Sequence, residues 1–202
     1  MQEWALKPEI QQHIQEIIKD ISLALQDMQN TLENNDKCLL CKVEDIHKLL
    51  LQIQSTTASY YLKTYLSPYT DCYIQLLTAI RQLSQKRHGA LIIIEREKSL
   101  EAYIQSGIEI QAHLTVQLLE SIFYPGNSLH DGAVLVNNNH IISAANILPL
   151  SQQALTSNRK LGTRHRAAIG LSEVSDALIF VVSEETGITS FALDGTLYTF
   201  SL

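Results

Sequence analysis

The chain has 202 residues, is 46% hydrophobic and carries 15 basic against 21 acidic side chains, for a formal net charge of −6. This supports one large packed domain or a domain with an appendage, and the acidic balance argues against non-specific binding to nucleic acid or to acidic membranes. An anionic ligand must therefore be held by a local cluster of positive groups.

The opening Met1-Gln2-Glu3-Trp4 has no basic region followed by an apolar stretch, so no secretory signal is expected. From Ile10 the apolar residues fall at Ile10, Ile14, Ile17, Ile21, Leu25, Met28 and Leu32, which puts one stripe on a helix. Asn34-Asn35-Asp36 breaks it. A second stripe follows at Val43, Ile46, Leu50, Ile53 and Tyr60, widened by Leu49, and Ser67-Pro68 ends it. Two amphipathic helices joined by a polar turn form an αα-hairpin. Such a hairpin cannot bury both stripes alone, so residues 1–66 are expected to form a supporting, oligomerisation or regulatory region ahead of a domain over 67–202.

A third helix is expected over Thr70–Lys86, with Gly89 at its C-terminal end. Beyond it the grammar changes to short strands. Ala90–Glu95 is a β-branched run and Gly107–Gln111 alternates, while Thr115 can cap a helix reaching Phe123. Ala133–Val136 and His140–Ile147 flank an Asn137-Asn138-Asn139 turn as a hairpin. A polar loop over Ser151–Lys160 precedes a helix from Thr163 to Leu171. The strands Ala177–Val182, Ile188–Leu193 and Leu197–Phe200 close the chain. Strands interleaved with helices indicate an α/β (α+β) fold, a mixed central sheet flanked by helices.

The longest apolar runs are far shorter than the ~20 residues of a membrane-spanning helix. A soluble, cytoplasmic protein that engages neither membrane nor nucleic acid is expected. Cys38 and Cys41 form a C-x-x-C, but no second pair follows, so they read as two small residues near a helix start.

Three segments can carry chemistry. His130-Asp131-Gly132-Ala133 sits between a loop and an apolar strand. Asp-Gly alone suits a turn, whereas an adjacent His-Asp pair can also share a metal or a proton. Gly162-Thr163-Arg164-His165-Arg166-Ala167-Ala168 opens a helix, with Thr163 the expected N-cap. Three basic side chains in a first turn oppose the helix dipole, at a cost of a few tenths to about 1 kcal/mol for each unless an anion offsets it. Free N–H groups there favour phosphate, although salt bridges to nearby carboxylates are the alternative. Ser183-Glu184-Glu185-Thr186-Gly187 suits a hairpin loop, yet its carboxylates and hydroxyls can also meet a metal or a ribose. No P-loop and no G-x-G-x-x-G turn is present.

Taken together these segments resemble the DAC domain of the diadenylate cyclases, from about Tyr73 to Leu197. The resemblance rests on Gly89-Ala90-Leu91-Ile92, Ser121-Ile122-Phe123, Leu129–Ala133, Leu148-Pro149-Leu150-Ser151, Leu161–Gly170 and Ser183–Gly187. It implies condensation of two ATP into the second messenger cyclic di-AMP, with Asp131, Arg164 and Arg166 as catalytic residues. It implies that the nucleotide meets Gly132, Ala133, Leu148, Gly162, Thr163, Arg164, His165 and Arg166, together with Ser183, Glu184 and Glu185. It further implies a divalent metal, Mn or Mg, held by His130, Asp131 and Glu185, and a homo-oligomer whose catalytic domains meet face to face. The helical N-terminal region is similar to that of the soluble, sporulation-associated branch of the family. A catalytically silent sensor of ATP or cyclic di-AMP is the alternative.

Overall fold

The computed structural model describes residues 7–34, 39–105, 107–151 and 161–200. They divide between Leu62 and Lys63 into two compact units. The first unit is helical. It holds α1 (Pro8–Asn34) and most of α2 (Leu39–Leu66), and Asp27 of α1 forms an ion pair with Lys42 of α2.

Its sheltered stripe is rotated from the expected one. Ile10, Ile14, Ile17, Ile21 and Met28 are sheltered, but Leu25 and Leu32 are exposed, and Ala24 and Thr31 take their places. In α2 the same slip exposes Val43 and Leu50 while Ile46, Leu49 and Ile53 are sheltered. Neighbouring helix positions lie ~100° apart, so a choice between adjacent apolar residues turns the stripe by that angle. The C-x-x-C reading is corrected at Cys41, which is disulfide-bonded; Cys38 lies outside the described residues.

The second unit carries α3 (Tyr73–Lys86), β1 (Ala90–Ile94), β2 (Ile108–His113), α4 (Val116–Ile122), β3 (Ala133–Asn137), β4 (His140–Asn146), α5 (Thr163–Val174), β5 (Leu178–Val182), β6 (Thr189–Leu193) and β7 (Thr196–Phe200). The strands form one sheet in the order β2-β4-β3-β1-β5-β6-β7. β1 and β3 are parallel, with Ile92 opposite Val134, and the other pairs are antiparallel. The parallel pair needs a long crossover, and the segment holding β2 and α4 supplies it.

β1 and β5 are buried along their whole length, which is why each reads as an unbroken apolar run rather than an alternating one. Leu91 and Ile93 of β1 join Leu135, Ile179 and Val181 in a core closed by Ala167, Ala168 and Leu171 of α5. Ala90, Ile92 and Ile94 face the other way by strand alternation. α3 and α4 pack on one another and α3 reaches β5, with Leu76, Ile80, Leu83, Leu119 and Ile122 buried. Each such side chain contributes about 1.5–3 kcal/mol relative to leaving it in water.

The expected start of α3 at Thr70 moves to Tyr73. Thr70 instead accepts the N–H of Cys72 at 3.0 Å and donates to Asn139 Oδ1 at 3.0 Å, an alternative to helical bonding. Arg87, not Gly89, is the left-handed residue that ends α3, at φ 53°. One close approach fixes α5 against the segment after β4. A Cβ on Gly170 would lie 2.3 Å from the carbonyl oxygen of Pro149 and 2.6 Å from the nitrogen of Ser151. The backbone of Leu148–Ser151 can pass there only because residue 170 has no side chain.

Candidate active site

One cavity of about 1280 Å³ opens between the C-terminal end of β5, the β3–β4 hairpin and the start of α5. It gathers most of the residues singled out in the sequence. His130, Asp131 and Gly132 line one part, Gly162, Thr163, Arg164 and His165 another, and Ser183, Glu184, Glu185 and Leu148 the remainder. Two expected residues are not on its wall. Ala133 is fully buried in the core, and Arg166 is half-buried in the first turn of α5.

The loop carrying Asp131 is built by Asn127. Its side chain accepts the N–H of Leu129 at 3.0 Å and donates to the carbonyl of Ser121 at 2.7 Å. Its own carbonyl receives the N–H of His130 at 3.2 Å and lies 2.5 Å from His130 Nδ1. A carbonyl can only accept, so Nδ1 carries a proton, and in the neutral ring Nε2 keeps its lone pair. The Asp131 side chain is exposed to the cavity and has no hydrogen bond or ion pair among the described residues.

Gly132 turns the chain into β3 at φ +104°, where a Cβ would lie 2.7 Å from the carbonyl carbon of Ala145. Buried Asn146 locks this junction. It donates to the carbonyl of Ala133 at 2.8 Å and accepts from the N–H of Gly107 and the hydroxyl of Ser143, both at 2.9 Å. Sequence reasoning missed Asn146; its signal is an amide that closes a strand directly after Ala144 and Ala145.

The N-cap of α5 is Gly162, with no side-chain cap, so Thr163 is the first helical residue and not the expected cap. The first-turn N–H groups thus keep no side-chain partner from a cap and face a cavity, which suits an anion. Of the readings of the basic turn, the salt bridge is present, and it leaves part of the turn unpaired among the described residues. Arg164 Nη1 donates to Glu184 at 2.9 Å, while Nε of Arg164 and Nε of Arg166 are buried without a partner among the described residues. Ser151 ties the turn to the Leu148 segment, its N–H donating to the carbonyl of Arg166 at 3.1 Å and its hydroxyl to Glu173 at 2.6 Å.

The Ser183–Gly187 loop is held by its own turn and by α3. The Ser183 hydroxyl accepts the N–H of Thr186 at 3.3 Å, and Ser84 donates to the carbonyl of Gly187 at 2.6 Å. Ile147, Leu150 and Ile188, which the sequence did not single out, line the cavity with largely exposed apolar side chains.

Burial lowers the pKa of His165 below its ordinary 6.5, the Arg164 charge lowers it further, and Glu185 opposes them. The folded chain therefore resists protonation while the unfolded chain accepts it. Stability is lost as pH falls from the unfolded value through the folded one. A triphosphate beside the ring acts in the opposite sense and raises the pKa. By NMR titration, His165 should titrate below 6.5 in the free protein and move upward with 3′-deoxy-ATP, which lacks the attacking hydroxyl. A midpoint that stays still at saturation would put the phosphates elsewhere.

Comparison with known proteins identifies the class of site. The family model described as DisA bacterial checkpoint controller nucleotide-binding, the DAC model, matches residues 77–197. The chain belongs to the DAC family. A second model, described as the N-terminal region of diadenylate cyclase CdaS, matches residues 1–69. The DAC-family chain is 58% identical over 202 residues to diadenylate cyclase CdaS of Bacillus thuringiensis, covering 100% of both chains. It is 47% identical to cyclic di-AMP synthase CdaS of Bacillus subtilis, covering 96% of this chain and 91% of that one. Among solved structures, a hypothetical membrane spanning protein from Bacillus cereus superposes with a TM-score of 0.87 at 58% identity, over 96% of this chain and 95% of that one. DacA from Staphylococcus aureus superposes with a TM-score of 0.60 at 42% identity, over 64% of this chain and 85% of that one. Among the described residues no helix is long and apolar enough to cross a membrane.

Among the described residues no group of three or more His, Cys, Asp or Glu side chains is arranged to hold a metal ion. The donors on the cavity wall nonetheless fit a hard divalent cation. Mg²⁺ and Mn²⁺ take oxygen ligands, and Mg²⁺ is commonly held by one or two carboxylates together with substrate phosphates instead of a complete protein cage. The carboxylates of Asp131, which has no partner among the described residues, and of Glu185 have that chemistry, and Nε2 of His130 adds a nitrogen donor.

Proposed function

We propose that the chain is a diadenylate cyclase, which condenses two ATP into cyclic di-AMP and releases two pyrophosphates. The observation that carries this reading is the shared cavity, where an unpaired carboxylate and the basic first turn of α5 border one nucleotide-sized space. The two full-length relatives are named for this reaction.

In each half-reaction the 3′-oxygen of one ATP forms a bond to the α-phosphorus of another, and the bond from that phosphorus to the bridging oxygen of pyrophosphate breaks. Asp131 accepts the hydrogen bond of the attacking hydroxyl, orients its oxygen and takes its proton as the bond to phosphorus forms. Arg164, His165 and the free N–H groups of α5 bind the phosphates and stabilise the charge that grows on the leaving group. Arg166, in the same turn, supports them, and Leu148 offers an apolar wall to the base. His130, Asp131 and Glu185 would hold Mn²⁺ or Mg²⁺ together with the triphosphate, and the ion would supply charge neutralisation and a lowered pKa for the attacking alcohol.

The product has two-fold symmetry, and one ATP cannot reach both new bonds. Two catalytic domains therefore meet face to face across an isologous interface, each with one ATP. The exposed apolar rim of Ile147, Leu150 and Ile188 supports such a contact. Exposed Leu25, Leu32, Val43 and Leu50 support an assembly role for residues 1–66. Removing those residues should change both the oligomer mass and the rate, measured by light scattering and turnover; unchanged values of both would rule the role out. ATP as substrate fits a cytoplasmic setting.

Pyrophosphate release tests the reaction class. Incubation with ATP and Mg²⁺ or Mn²⁺ should yield one pyrophosphate per ATP consumed, without ADP or orthophosphate. ADP would indicate a phosphohydrolase, and ATP bound without turnover a silent sensor.

A further inference from the structure

Gly89 lies outside the three segments that carry the chemistry, and its expected part as the end of α3 is taken by Arg87. Its side is not empty. A Cβ built on Gly89 would lie 2.5 Å from Nη1 of Arg164, 2.9 Å from Cζ of Arg164 and 2.9 Å from Cβ of Glu184. All three are far below van der Waals separation. Gly89 is buried, and no left-handed backbone explains the residue choice. The need for glycine there comes from the guanidinium that fills the space.

We propose that Gly89 is a positioning residue of the nucleotide site, which keeps open the slot that holds the Arg164 guanidinium in its ion pair with Glu184. The inference rests on the reading of Arg164 as a phosphate ligand. Three elements then define one rotamer. The α3–β1 junction supplies the floor at Gly89, the β5–β6 loop supplies the acceptor at Glu184, and α5 supplies the arginine itself. Arg164 is largely buried whereas Glu184 is mostly exposed, with side-chain exposures of 24% and 62%. The slot therefore constrains the arginine more than the carboxylate. With Nη1 engaged by Glu184 and Nε buried, Nη2 is the guanidinium nitrogen available to an incoming phosphate. Glu184 thereby acts through Arg164 instead of contacting ATP itself.

The nature of the clash separates positioning from folding. Two of the three atoms in the way are the flexible end of Arg164, which can swing aside, so Gly89→Ala should fold while displacing the guanidinium. A displacement near 1 Å at a catalytic group can cut a rate ~100-fold. The test is a double-mutant cycle on the full chain with Gly89→Ala, Arg164→Ala and the pair, scoring kcat and KM for ATP and thermal unfolding. Gly89→Ala alone should lose activity towards the level of Arg164→Ala while melting close to the native chain. In the Arg164→Ala background, where only the contact with Cβ of Glu184 remains, it should cost little further.

Native activity in Gly89→Ala, or a loss that multiplies with that of Arg164→Ala, would overturn the inference. If Gly89→Ala does not fold, Arg164→Ala should rescue folding by vacating the slot, and failure of that rescue would also overturn it. Native activity in Arg164→Ala is a separate result, because it would remove the phosphate-ligand reading on which the inference stands.

Discussion

Replacing Asp131 by asparagine should leave the chain folded and able to bind ATP while cutting cyclic di-AMP formation by about 10²–10⁴-fold, the range for losing a positioned acid–base group. The substitution keeps the shape of the side chain and removes its charge. Asp131 is exposed to the cavity and has no partner among the described residues, so the fold loses no hydrogen bond with it. The expected signature is therefore a fall in kcat with a nearly native melting temperature. Native turnover in Asp131→Asn would remove the carboxylate from the mechanism.

Arg164→Ala should lower kcat/KM by about 10²–10³-fold, as for removal of one donor that stabilises transition-state charge. The loss has two parts. The guanidinium no longer meets the phosphates, and Glu184 is left as an unpaired carboxylate on the same wall. An uncompensated negative charge repels ATP, so KM should rise as kcat falls. Arg164→Lys should recover only part of the loss, since a point charge cannot engage Glu184 and a phosphate in the planar fork of an arginine. Steady-state kinetics separates these parts. Unchanged constants in Arg164→Ala would contradict the assignment.

Much of the fold was legible because its signals are local. The all-apolar runs at β1 and β5 announced strands, and Thr115 is the observed N-cap of α4, accepting the N–H of Leu118 at 3.2 Å. The site was legible where residue type conflicted with local stability, as with basic side chains at the uncapped start of α5. What was hidden depends on distant partners. Which of two adjacent residues turns inward in α1 is decided by packing and not by period, so Ala24 and Thr31 are sheltered where Leu25 and Leu32 are exposed. Gly89 looked like a helix end because the arginine beside it is 75 positions away in sequence and on another element. Asn146 joins Ala133, Gly107 and Ser143, a convergence that no short pattern encodes.

The most direct test of the account is the identity of the product. The full chain, incubated with ATP and Mg²⁺ or Mn²⁺, should give a single new nucleotide with the mass and chromatographic mobility of cyclic di-AMP. ATP retained on the protein without turnover, or conversion to ADP or AMP instead, would contradict it.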